Sequence, residues 1–152
     1  MTTLQDTTVD TLHHLLMLNR DSAEAYHQAA NGTQHPRIKA LLLQCAEQYE
    51  TFCADLETAI VRCGGTPEPG GRPLAALQRG WRNLTQVLGG QNDHAIVQAC
   101  KYSEQQAVYA YQDALDQDPP LPAEIRLLLT RHYMHVQDAL EKITAMEVAT
   151  GH

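Results

Sequence analysis

The chain has 152 residues, 43% of them hydrophobic but only 5% aromatic, and its 18 acids against 11 bases give a formal net charge of −7. That length fits a single domain over residues 1–152, able to bury roughly 68–70% of its unfolded surface without disulfide or metal staples. The bases are scattered from Arg20 to Lys142 and no apolar run approaches membrane-spanning length, so neither nucleic acid nor membrane is expected as a main partner.

Thr7 with Asp10 resembles a capping box, and Val9, Leu12, Leu15, Leu16, Asn19, Ala23, Tyr26 and Ala30 follow at spacings of three and four, which predicts a first helix over about 8–30. Asn31-Gly32 reads as its stop. Pro36 opens a second helix, about 36–63, whose stripe runs Ile38, Leu42, Cys45, Tyr49, Phe52, Leu56, Ile60 and Cys63. The short link between the two makes them antiparallel neighbours. A Gly- and Pro-rich loop after Gly64-Gly65 leads to a shorter amphipathic helix, about 74–88, with Leu74, Leu77, Leu84 and Leu88 inward and Trp81 as its anchor to the rest. Its length suits a crossover along a bundle. Asn92 caps a helix over about 92–116, with Ile96, Cys100, Ser103, Ala107, Ala110 and Ala114 as its small-residue face. After Pro119-Pro120, a last helix over about 122–148 turns Ile125, Leu128, Leu129, His132, Val136, Ala139, Ile143 and Met146 inward.

The four cysteines, Cys45, Cys53, Cys63 and Cys100, form no C-x-x-C pair and read as reduced thiols. The N-terminus has no basic stretch ahead of an apolar one. A cytoplasmic protein is therefore expected, with an aliphatic core of Leu, Ala and Ile.

Asn19-Arg20-Asp21 through Tyr26 and Ala29-Ala30, then Gly64-Gly65-Thr-Pro, Arg79-Gly80-Trp81, and the string from Cys100 through Glu104 and Tyr111 to Leu115 together resemble the bacterial four-helix-bundle family of unknown function assigned to the ferritin-like superfamily. The resemblance runs from about Val9 to Ile143. It implies an all-α, ferritin-like up-down four-helix bundle with a long connection between the second and third main helices, but supplies no activity. The chain departs from the family in having Gln78 before Arg-Gly-Trp and Leu140 in the last helix where histidines are expected.

Ferritin-like bundles that hold two metal ions do so with carboxylates and imidazoles from facing helices. The candidates here are Glu24, the pair Glu47 and Glu50, Glu104, and the pair His132 and His135. Counting from the Pro119-Pro120 turn sets Glu104 level with His135 and one turn from His132. At roughly 100° per residue, Glu47, Asp21 and Glu24 point away from the inward stripes, Glu50 is marginal at roughly 120° from its own, His132 lies within its stripe, and Glu104 and His135 flank theirs by roughly 80°. The inward polar residues then form a core layer of Asn19, Tyr26, Tyr49, Ser103 and His132, with Glu104, His135 and His27 at its margin. His132 is expected to be a satisfied core histidine, bonded to Ser103, Tyr49 or Glu104. His13, His14 and His94, near helix starts, are expected to be exposed.

No catalytic residue and no required cofactor emerge. The leading expectation is a non-enzymatic interaction or stress-associated protein, working through its surface as a homo-oligomer. A second is a metal-binding or redox protein holding iron, manganese or zinc at Glu104, His132 and His135. A third is a binder of a small apolar ligand beside the small-residue face of the third main helix.

Overall fold

A computed structural model of the chain describes residues 3–67 and 92–150. The predicted helix 74–88 and its anchor Trp81 lie outside the described residues. Within them the chain forms four helices: α1 (Leu4–Gly32), α2 (Pro36–Arg62), α3 (Asp93–Leu115) and α4 (Ala123–Thr150).

The helix ends follow from local chemistry. α1 starts one turn before the predicted capping box, because Thr3-x-x-Asp6 forms the box instead: Asp6 N donates to Thr3 Oγ1 at 3.0 Å and Thr3 N to Asp6 Oδ2 at 3.3 Å. Thr8 and Thr11 are thereby inside the helix, where their hydroxyls donate to the carbonyls four residues back. At its other end Asn31-Gly32 stays helical, and extended Thr33 is the cap. Only three residues then separate α1 from α2. Pro36 needs an extended residue before it, and His35 supplies one while its Nδ1 accepts from Arg37 N and Ile38 N. α2 ends as the sequence predicts. Gly64, at φ +85°, donates to Val61 O and Gly65 to Ile60 O, the paired bonds of a glycine-terminated helix. A Cβ on Gly65 would sit 2.9 Å from Val9, so the chain passes α1 there on glycine alone. Asn92 caps α3, accepting from Ala95 N at 2.8 Å.

Cross-helix bonds fix the directions. Thr33 to Asp93, Tyr26 to Glu104, Asn19 to Tyr111 and Thr11 to Gln117 descend α1 as they climb α3, so these two are antiparallel. Arg20 to Glu57 and His27 to Glu50 set α1 against α2, and Lys101 to Glu147 and Gln112 to Tyr133 set α3 against α4. The order is up, down, down, up. α2 therefore ends, and α3 starts, at opposite ends of a bundle about 40 Å long.

The core is aliphatic at its ends, around Leu12, Ile38, Leu56 and Ile60, but not in the middle. There Tyr26, Tyr49, Phe52 and Tyr111 are all 4% exposed or less, so four of the eight aromatics of the sequence are gathered at one level. Tyr26 and Tyr49 stack at 5.7 Å, and Phe52 stacks on His132 at 3.9 Å.

Candidate functional site

The aromatic level is also the polar level. The buried face of α3 takes in the predicted Ile96, Cys100, Ala107 and Ala114 together with Val97, Glu104 and Tyr111, and leaves the predicted Ser103 and Ala110 half-buried. Small residues on either side made the two faces equally apolar in the sequence. Glu104 and Tyr111 enter the core because their polar atoms find partners there, as buried polar groups must.

Glu104 has no exposed surface. Tyr49 donates to its Oε1 at 2.8 Å, and Tyr26 donates to Oε2. Burial pushes its carboxyl pKa up to about 7, against the two tyrosine bonds that favour the charged form. Tyr26 has a second acceptor, Cys100 O at 3.5 Å. A protonated Glu104 can therefore donate to Tyr26 Oη while Tyr26 turns its own proton to that carbonyl. The site holds a proton with every group satisfied in either state.

His132, 2% exposed, is the satisfied core histidine that its stripe predicts, but with other partners. Its Nδ1 faces Tyr111 Oη at 2.9 Å and its Nε2 faces Asp55 Oδ2 at 2.9 Å. Tyr111 stands opposite His132, whereas turn-counting set Glu104 level with His135, one turn from His132. Asn19 completes the chain: its Nδ2 donates to Leu15 O at 2.7 Å, which fixes the amide's orientation, and to Tyr111 Oη at 3.1 Å. Tyr111 receives that proton and gives its own to Nδ1, so His132 carries its proton on Nε2 and donates it to Asp55. Burial lowers the His132 pKa and keeps the ring neutral, with Asp55 pulling the other way. The Asp55 side chain is 43% exposed and lines a groove of about 680 Å³ between the end of α2 and the start of α4.

Sequence reasoning thus finds Asn19, Tyr26, Tyr49, Glu104 and His132, and misses Tyr111 and Asp55. Tyr111 had a signal in the three-four stripe through Cys100, Glu104 and Ala107. Asp55 had none, being half-exposed beside Leu56. Ser103 stands at the margin of the layer, and His135 is exposed, its ring 6.3 Å from Phe52. Of the histidines expected at the surface, His14 is exposed, whereas His13 is half-buried and bonds Thr66 O, and His94 is half-buried against Thr150.

These residues do not fit a dinuclear carboxylate centre. Glu47 and Glu50 are exposed. A Glu-x-x-His string, the pairing by which dinuclear bundles hold their ions, does occur in α1 as Glu24-Ala-Tyr-His27, where sequence reasoning overlooked it, but it faces outward: Glu24 accepts from Gln28, and His27 bonds Glu50 at 2.6 Å. Glu104 is held by its tyrosines and His132 by Tyr111 and Asp55, apart from each other. Among the described residues no three His, Cys, Asp or Glu side chains come together as a metal-holding group. The cysteines are all unpaired, and burial pushes the thiol pKa of Cys45 to about 12 and of Cys53 to about 11, so they stay as thiols.

Fold and site together define an all-helical bundle with a proton-bearing polar layer through its middle. The chain belongs to the family described as Domain of unknown function (DUF2383), whose profile matches residues 7–117. The match takes in every residue of the layer except His132, which α4 contributes. No curated protein matches the chain.

Proposed function

We propose that this chain is a ferritin-like bundle acting as a cytoplasmic, non-enzymatic interaction protein of the stress-associated kind, and that it works as a homo-oligomer. The carrying observation is that the two buried titratable side chains of the layer are fully bonded within the protein. Both oxygens of Glu104 and both nitrogens of His132 are bonded within the protein, so neither has a free position for a substrate or a metal ion. Four unpaired cysteines suit a reducing compartment, and none of the described helices is long and apolar enough to cross a membrane. The parallel run of α2 and α3 supports the ferritin-like assignment.

What the interior does not offer, the surface does. Tyr109 on α3 and Leu127 and Met134 on α4 are 59%, 63% and 64% exposed. Leu127, Met134 and Val148 repeat at multiples of seven, opposite the inward Leu129, Val136 and Ile143. A second copy of this chain is the proposed occupant, since α4 can pair with itself about a two-fold axis.

Sedimentation velocity tests this. The wild type should run as a dimer or larger, and L127E/M134E should shift it to monomer; a wild type that is monomeric at every concentration overturns the reading. Elemental analysis addresses the metal alternative. Iron, manganese or zinc at one or two ions per chain, lost in His132→Ala, would replace the non-enzymatic reading by a metal site at Glu104, His132 and His135.

A further inference from the structure

We propose that Tyr111 is a redox-active tyrosine, oxidised by one electron while its phenol proton passes to His132, with Asp55 holding the imidazolium that results. The inference stands apart from the oligomer reading and rests on the direction of the hydrogen bonds. Asn19 donates to Tyr111 Oη, so the phenol proton points at the lone pair of His132 Nδ1, 2.9 Å away. His132 is held in the tautomer that leaves that lone pair free by its Nε2–H bond to Asp55. A phenol that loses an electron becomes a strong acid. In a fully buried site the charge it would leave is prohibitive unless the proton departs at once, and here an acceptor is already aligned.

The Glu104 tyrosines lack this arrangement. Tyr26 and Tyr49 share one acceptor that is itself wholly buried, whereas the acceptor of Tyr111 leads through Asp55 to solvent at the groove between α2 and α4. The titratable groups around His132 and Tyr111 are Asp55 and Cys53 from α2 and Arg131 and His135 from α4, with the neutral amide of Asn19 arriving from α1.

The oxidant is of the organic-radical class, such as a peroxyl radical. The electron leaves the Tyr111 ring and reduces the radical to a hydroperoxide anion, which takes a proton from water. The Tyr111 O–H bond breaks and an N–H bond forms on His132 Nδ1, leaving a neutral tyrosyl radical beside an imidazolium paired with the Asp55 carboxylate. A one-electron reductant of the enediol class reverses both transfers. The bundle thus serves as a sink for one-electron oxidants, its radical kept from coupling with others by burial.

Photo-oxidation of the full chain with a ruthenium polypyridyl sensitiser and persulfate, followed by electron paramagnetic resonance, tests the assignment. The wild type should give a tyrosyl signal that outlasts the radicals of the exposed tyrosines, and Tyr111→Phe should abolish it. His132→Gln should shorten its lifetime about tenfold or more, the loss of one good hydrogen bond's stabilisation. Asp55→Asn should shorten it less, and Asp55→Glu should restore it, which a merely structural role for Asp55 would not do. A persistent signal unchanged in Tyr111→Phe overturns the proposal. Should circular dichroism show that Tyr111→Phe does not fold, Asp55→Asn at the half-exposed end carries the test, and an unchanged lifetime there overturns it equally.

Discussion

Two titratable groups sit in one layer of this bundle, both almost completely buried, and they meet burial in opposite ways. Glu104 is closed in: its partners are two buried hydroxyls, and any charge on it stays in the core. His132 has one side in the core, on Tyr111, and the other on a carboxylate that solvent reaches. Burial raises the pKa of the acid and lowers that of the base, favouring the neutral form of each. The difference lies in where a proton can go. Glu104 keeps its proton at a cost to the fold when it must give it up, whereas His132 can pass one between the core and the surface. Equal burial therefore says little about role, and connectivity to solvent separates a stability element from a relay.

The largest break in that comparison is Glu104→Ala. It opens a cavity and orphans two buried hydroxyls at once, so the loss in a urea titration at pH 7 should be about 4 kcal/mol. Next comes the pH profile. The Glu104 carboxyl has its folded pKa raised to about 7 from 4.5, so between those values the folded state binds more protons than the unfolded state. Its contribution is fully present below pH 4.5 and is lost as pH rises through about 7, amounting to about 3 kcal/mol at most. Glu104→Gln removes it, since the amide can donate to Tyr26 and accept from Tyr49. Stability of wild type minus Glu104→Gln should fall across that window; a flat difference would mean that Glu104 does not titrate there. His132 has the opposite sign. Its depressed pKa contributes stability above 6.5 that is lost as pH falls below it, so His132→Gln should steepen the decline with rising pH that Glu104 produces.

A smaller effect separates the hydrogen bonds of Glu104 from its burial. Tyr49→Phe keeps the ring on Tyr26 and Phe52 but removes one donor, at about 1–2 kcal/mol by thermal denaturation. The Tyr49 bond favours the ionised carboxylate, so the Glu104 titration, followed by carboxyl carbon NMR, should move upward.

How much of this was legible beforehand depends on whether periodicity or pairing decides the residue. The stripe from Ile38 to Ile60 is apolar without interruption, so α2 and its inward face follow from the sequence, and Gly64-Gly65 and Asn92 mark helix ends by conformational preference. The start of α1 was ambiguous because Thr3-x-x-Asp6 and Thr7-x-x-Asp10 are the same signal twice, and the earlier box wins by adding a turn of helix bonds. On α3, apolar periodicity placed Ile96, Cys100, Ala107 and Ala114 inward but could not choose between Ser103 and Ala110 on one flank and Glu104 and Tyr111 on the other, where the deciding residues were polar. Glu104 belongs inside only when Tyr26 and Tyr49 arrive from α1 and α2, and those encounters are set by tertiary register. Turn-counting assumed that α3 and α4 end level at the Pro119-Pro120 turn, whereas the two are offset along the bundle, with Tyr111 opposite His132. Asp55, half-exposed on α2, became a site residue only through the imidazole that α4 brings to it.

The smallest expected change sharpens the contrast most. Asp55→Asn keeps an oxygen for His132 Nε2–H and removes only the charge. With the Asp55 side chain 43% exposed, solvent screens most of its attraction, so the loss of stability should stay below about 1 kcal/mol. The proton affinity of His132 should nonetheless change, because the Asp55 hydrogen bond and charge are what oppose burial there. Imidazole NMR should show the His132 midpoint moving further down, with stability nearly unchanged. In the Glu104 site the affinity for a proton and the stability of the fold cannot be moved separately, since the group has no contact outside the core. If Asp55→Asn costs as much stability as Tyr49→Phe, or leaves the His132 midpoint where it was, then the carboxylate at the surface is not the outer end of a relay, and the two halves of the layer are both simply parts of the core.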